Sequence, residues 1–79
     1  MENLDKYNQA FIENFSVEVS VLNDAFGVDT VESWDSVAQL SLVSAIEDTF
    51  DIMLDAEDIL GFRSYGAGKD ILQKYQITF

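Results

Sequence analysis

The sequence contains no cysteine, no histidine and no proline. Without thiols there are no disulfides, no thiolate metal sites and no cysteine nucleophile. Without imidazole there is no Ser–His pair. Positive charge is also scarce: Lys6, Lys69, Lys74 and Arg63 stand against 15 acidic residues, for a formal charge of −11. Phosphate backbones and anionic lipid surfaces repel such a chain, so neither nucleic acid nor membrane is an expected partner. Long apolar runs are missing too. No stretch of aliphatic and aromatic residues exceeds three, whereas a membrane span needs roughly 20. The opening Met1-Glu2-Asn3-Leu4-Asp5 is acidic and lacks an apolar signal core. The expected setting is therefore the cytoplasm.

The 79 residues allow one domain, 1–79, and 48% of them are hydrophobic, enough for one compact core. The side chains left for chemistry are carboxylates, three tyrosines and the four cations. A self-contained hydrolase or transferase is not expected, and any thiol chemistry needs a sulfur brought in by a prosthetic group. The acidity suits partners with basic patches, reached with electrostatic help. It would equally serve only to keep a small protein soluble.

Hydrophobic spacing predicts four helical pieces. Leu4, Tyr7, Phe11 and Phe15 recur at three- and four-residue steps, which predicts an amphipathic helix over about 3–15 with Asn3 as its cap. Val17, Val19 and Val21 alternate as in a strand, but no second segment alternates to pair with them. Residues 16–33 are read instead as a long loop pinned by valines, Leu22, Phe26 and Val28, with a turn at Gly27. A second helix is predicted from about Asp35 to Phe50, capped by Ser33 or Asp35. Its apolar residues cover more than a narrow stripe, so it is expected to be the most buried helix. Asp55 and Asp58 have the spacing of a carboxylate capping box opening a short helix near 56–60. Ser64 opens a fourth helix with Tyr65, Leu72 and Tyr75 on one side, its first turn weakened by Gly66 and Gly68. Ile77 in the tail is expected to fold back on the core.

The segment Trp34-Asp35-Ser36-Val37-Ala38-Gln39-Leu40 continues to Ile46-Glu47-Asp48-Thr49-Phe50-Asp51. It resembles the acyl carrier protein family, whose hallmark is Asp-Ser-aliphatic at the start of the second helix. Asp35-Ser36-Val37 matches that tripeptide, Leu40, Leu42, Val43 and Ile46 match the aliphatic run, and Glu47-Asp48 with Phe50-Asp51 match its end. The resemblance covers the second helix well and the rest of the chain more loosely. It implies an all-α fold: a small four-helix bundle of three longer helices and one short one with a long first loop. It implies a non-catalytic monomer whose Ser36 accepts 4′-phosphopantetheine from coenzyme A through a separate, magnesium-dependent phosphopantetheinyl transferase. The arm would shuttle thioester-bound acyl groups between acyl-activating or acyl-transferring enzymes with basic docking patches. A serine at a helix start suits this, because free N–H groups and the helix dipole favour an anion there.

The resemblance also implies roles for neighbours of Ser36. Asp35 would help the transferase bind, beside any role as a cap. Val37 would be partly exposed and dock against partners. Glu47 and Asp48 would meet Arg or Lys on partners, although a merely solvated face is the plainer reading. Leu42, Ile46, Ile59, Leu60 and Phe62 would line a space for cargo, or are simply core. Trp34 stands where many carriers have a small residue just before the serine. It is an aromatic anchor for a partner, a lid on the loop, or a residue packed on the first helix. Ala38 and Ser41 stand where fatty-acid carriers often have acidic residues, which favours a dedicated carrier in a specialised pathway. No Gly-Gly pair precedes Asp35-Ser36, as an aminoacyl or peptidyl carrier would have, but a D-alanyl carrier remains open. The rival from another class is an acidic helical interaction module that is never modified. A calcium hand would need an Asp-x-Asp-x-Asp-Gly loop, which is absent.

Overall fold

The computed structural model describes residues 2–79. Four α-helices follow one another: α1 (Asn3–Phe15), α2 (Ser36–Phe50), α3 (Ala56–Gly61) and α4 (Tyr65–Gln73). Among the described residues there is no β-strand, only an isolated antiparallel bridge between Gly27 and Ser64. The fold is all-α. No helix among the described residues is long and apolar enough to cross a membrane.

Helix α1 forms where the spacing of its apolar residues predicts. Tyr7, Ala10, Phe11 and Phe15 are buried on one face, and Leu4 is half-buried. Phe11 is the hub of the core. Its ring centroid lies 5.3 Å from that of Tyr65, 5.8 Å from Trp34, 5.9 Å from Phe26 and 6.3 Å from Phe62. The pairs with Tyr65, Trp34 and Phe26 are edge-on and that with Phe62 is stacked, and both geometries add to the burial energy of each ring. The helix stops at Ser16, which adopts a left-handed φ of 54° and returns its N–H to Ile12 O. Asn3 is not the cap: Glu2 holds that position, and the Asn3 amide reaches 3.0 Å across to Thr78 O. That bond and the burial of Ile77 seat the C-terminal tail on the bundle of side chains, as expected.

Residues 16–33 form the long loop, interrupted by one 3₁₀ turn at Val19–Val21. Phe26 pins it to the core at 7% exposure, with Leu22 and Val28 packed partly against it. Val19 and Val21 point outward and hold nothing. The loop is tied to the segment before α4 by two backbone bonds, Val28 N–H to Arg63 O at 3.0 Å and Tyr65 N–H to Phe26 O at 2.8 Å. Gly27 makes this approach possible. A Cβ there would lie 2.8 Å from Arg63 O and 2.9 Å from Ser64 Cβ.

Three further expectations are corrected. Helix α2 is not the most buried: only Leu42, Val43 and Ile46 of its 15 residues are buried, against four of the nine residues of α4. Its remaining large aliphatics, Val37 and Leu40, face outward. Asp58 does not close a capping box with Asp55. Its carboxylate is drawn to Lys74 and Tyr75, and the Tyr75 hydroxyl accepts from Asp55 N–H instead. The Ser64 cap of α4 forms as expected, with Oγ accepting from Ala67 N–H at 3.0 Å. Tyr75, placed on that helix by its spacing, lies just beyond the helix end.

Candidate functional site

Ser36 is the first residue of α2, directly after the long loop. The choice of cap falls on Asp35, which is extended at φ −99° and ψ −171° and whose Oδ1 accepts from Ala38 N–H at 2.9 Å. Ser36 and Asp35 are both exposed, and the Ser36 hydroxyl bonds to no protein atom among the described residues. The N–H groups of Ser36 and Val37 belong to the first turn, where a helix has no carbonyl of its own to offer. Donors and dipole at this helix start therefore suit an anion bonded to the Ser36 oxygen.

A groove of about 470 Å³ opens beside the serine. Its walls are Val28, Trp34, Asp35, Ser36, Gln39, Leu40, Ile59, Leu60 and Arg63. Leu40 is 64% exposed and Leu60 76% exposed, so the groove has an apolar rim rather than a closed chamber. With Val37 at 73% exposure, these residues form an apolar surface next to Ser36 in a strongly acidic chain.

Gln39 builds the floor. Its Nε2 donates to both Ile59 O and Phe62 O at 2.8 Å, and its Oε1 accepts from Trp34 Nε1. One side chain thus joins the start of α2, the end of α3 and the loop. Nothing in the local pattern marked Gln39, because a glutamine inside a helix is ordinary and its partners lie 20 and 23 residues away.

The other candidates separate into surface and core. Trp34 is 5% exposed and packs 5.2 Å from Phe15 and 5.8 Å from Phe11, centroid to centroid. Of its alternative readings, packing against the first helix is the one the structure has, and the partner-anchor reading is corrected. Leu42, Ile46 and Phe62 are fully buried core residues and line no groove here. Of the proposed cargo-lining set, only Ile59 and Leu60 reach the groove. Glu47 is partly buried, and its Oε2 accepts from Leu54 N–H at 2.8 Å, fixing the link from α2 to α3. That link turns through Asp51, at φ 55°, with Ile52 N–H donating to Glu47 O. Glu47 therefore has a structural task, while Asp48 is exposed.

Away from the groove, Asp58 is largely buried between Lys74 and the Tyr75 hydroxyl, the latter at 2.6 Å. The hydrogen bond from Lys74, and then that from Tyr75, hold the Asp58 carboxyl below its ordinary range. The bond to Asp58 in turn raises Lys74 and Tyr75 above theirs. This network locks α3 to the end of α4. Burial pushes the Tyr7 hydroxyl far above its ordinary range, and it donates to Tyr65 O in the core.

No protein-family model matches the chain, and no curated protein and no solved structure matches it.

Proposed function

We propose that the chain is an acyl-carrier-like four-helix bundle that receives a 4′-phosphopantetheine arm on Ser36 and presents arm-bound acyl groups to other enzymes. The observation that carries this reading is the position of Ser36. Its hydroxyl is exposed and unbonded at the first residue of α2, at the mouth of a half-apolar groove. The residues fit the group: the helix start suits the phosphodiester, and Leu40, Ile59 and Leu60 offer apolar cover to the arm. When bound, the group supplies a terminal thiol able to hold acyl groups as thioesters. The chain itself positions the serine, holds the anion at the helix start and offers Val37 and Leu40 for docking. Asp35 keeps Oδ2 available to a basic residue of the transferase while Oδ1 caps the helix. The protein acts in this reading as a cytoplasmic, monomeric, non-catalytic carrier, with acyl cargo of a specialised pathway favoured over D-alanine.

The test is intact-mass measurement after incubation with coenzyme A, magnesium and several broad-specificity phosphopantetheinyl transferases. The expected result is a gain of one phosphopantetheinyl group, absent in Ser36→Ala. No gain with any transferase removes the proposal. The exposed apolar surface of Val37, Leu40 and Leu60 also supports a second reading, an unmodified interaction module. In that case Ser36→Ala leaves partner binding intact and Leu40→Ser abolishes it.

A further inference from the structure

Arg63 is the only arginine of the chain and one of four cations among 15 carboxylates. The ion pair among the described residues joins Lys74 to Asp58, and Lys69 sits over the Tyr65 ring at 4.6 Å. Among the described residues Arg63 has neither kind of partner. Arg63 is an exposed residue in the lining of the groove that Ser36 opens onto. The only other charged residue of that lining is Asp35, which forms no ion pair with it and uses Oδ1 for the cap. The Arg63 backbone is fixed: its carbonyl accepts from Val28 N–H at 3.0 Å and its N–H donates to Gly61 O at 2.9 Å. The backbone of Arg63 is thus anchored while its guanidinium is left uncommitted at the groove.

We propose that Arg63 is an oxyanion-binding residue of this groove. Its guanidinium takes a phosphate or carboxylate carried into the groove by the group bonded to Ser36. The planar fork of arginine matches the paired oxygens of both groups. The apolar walls, Leu40, Ile59 and Leu60, lower the local dielectric and strengthen the pairing relative to open water. The charge of −11 repels free anions, so the occupant must be held by a tether that keeps its local concentration high. On the carrier reading, on which the identity of the tethered group rests, two anions qualify: the arm's own phosphodiester and a carboxylate at the far end of the cargo.

The absence of cysteine allows a test that bypasses the transferase. In Ser36→Cys, the new sulfur is the sole thiol and is alkylated with three arms of equal length. One is neutral, one has a phosphodiester next to the attachment point, and one ends in a carboxylate. Two NMR signals are read, Arg63 Nε–H and the Trp34 indole N–H, the latter reporting from the groove wall. At least one charged arm is expected to move both signals away from their neutral-arm positions, and which arm does so identifies the source of the anion. Arg63→Gln should erase the charged-minus-neutral difference at Trp34, and Arg63→Lys should keep part of it. Three coincident spectra, or a difference that survives Arg63→Gln, overturn the proposal. Because alkylation needs no transferase, failure here is distinct from failure of Ser36 to gain mass with coenzyme A.

Discussion

Replacing Gln39 by methionine keeps most of its volume and deletes three hydrogen bonds. Two run from Nε2 to Ile59 O and Phe62 O, and the third comes from Trp34 Nε1. Ile59 is half-exposed and its carbonyl keeps a bond from Phe62 N–H, so that loss costs about 0.5–1 kcal/mol net. Phe62 is fully buried, so its carbonyl is left without a donor, and Trp34 is 5% exposed, so its indole N–H is left without an acceptor. Each of these two costs about 1–3 kcal/mol. The total is at least about 2.5 kcal/mol. A chain of this length has about 4–12 kcal/mol of stability in all, at roughly 0.05–0.15 kcal/mol per residue. The midpoint of thermal unfolding should fall by about 10 °C or more. The assay is urea unfolding followed by far-UV circular dichroism. Its signal is independent of Trp34, so the same measurement serves the cycle with Trp34→Phe, which removes the donor. In that background Gln39→Met should cost about 1–2 kcal/mol less than it does alone. Additive effects, or a Gln39→Met cost below about 0.5 kcal/mol, refute the idea that one amide holds the groove floor together.

Gly68→Ala gains about 1 kcal/mol of helix propensity but sets a Cβ against Tyr7 Oη and Phe62 Cζ and within 2.7 Å of Phe62 Cε1. Both rings are fully buried, so overpacking should win by about 1–3 kcal/mol in urea unfolding. Gly66→Ala meets only the Asp24 side chain, which can swing away into solvent, and should be neutral or stabilising in the same assay. Asp58 has its carboxyl depressed below the ordinary 3.8, so its stabilisation is complete above that value and drains as pH falls through the lowered one. Asp58→Asn should therefore flatten the acid limb of Tm against pH, and an unchanged limb counts against the network. Lys74 and Tyr75 are raised above 10.5 and 10.0, so their contribution is full below those values and is lost as pH rises beyond them. Asp35→Ala should cost about 1 kcal/mol through the lost cap. Asp35→Asn keeps a capping oxygen, so it should hold Tm; on the proposed carrier function it should also slow transfer of the phosphopantetheinyl group, a separation read by melting and timed mass spectrometry.

Much of the local structure was legible because its causes are local. The three- and four-residue steps of Tyr7, Phe11 and Phe15 give α1, and Asp35 and Ser64 cap the helices that follow them. The failures have remote causes. Asp58 sits at capping-box distance from Asp55, but a cation and a phenol 16 and 17 residues later compete for its carboxylate and win. Gln39 carries no signal until Ile59, Phe62 and Trp34 are brought around it. Trp34 beside the serine reads equally as anchor or core, and only the aromatic cluster around Phe11 decides. The serine at the helix start was legible, and so was an exposed Val37. The groove was half legible: Ile59 and Leu60 belong to it, while Leu42, Ile46 and Phe62 fill the core beneath.

A wide apolar surface such as that of α2 signals deep burial in a helix that answers only to folding. Here the apolar residues divide. Leu42, Val43 and Ile46 meet the core, and Val37 and Leu40 meet water beside Ser36. Exposed aliphatics gain nothing from folding and invite association, so they call for a cause outside the monomer's own stability. The charge of −11 holds like molecules apart, and under the proposed function it leaves such a surface to unlike, basic partners. A helix that is apolar toward both its own core and its surroundings, with a free hydroxyl at its start, suits a protein whose chemistry is done by whatever docks there. Shaving Val37 and Leu40 to alanine should then leave the urea midpoint within about 0.5 kcal/mol of the parent, as surface changes do. It should also weaken every partner that reads this face. A large loss of stability instead would return both residues to the core and remove the docking surface.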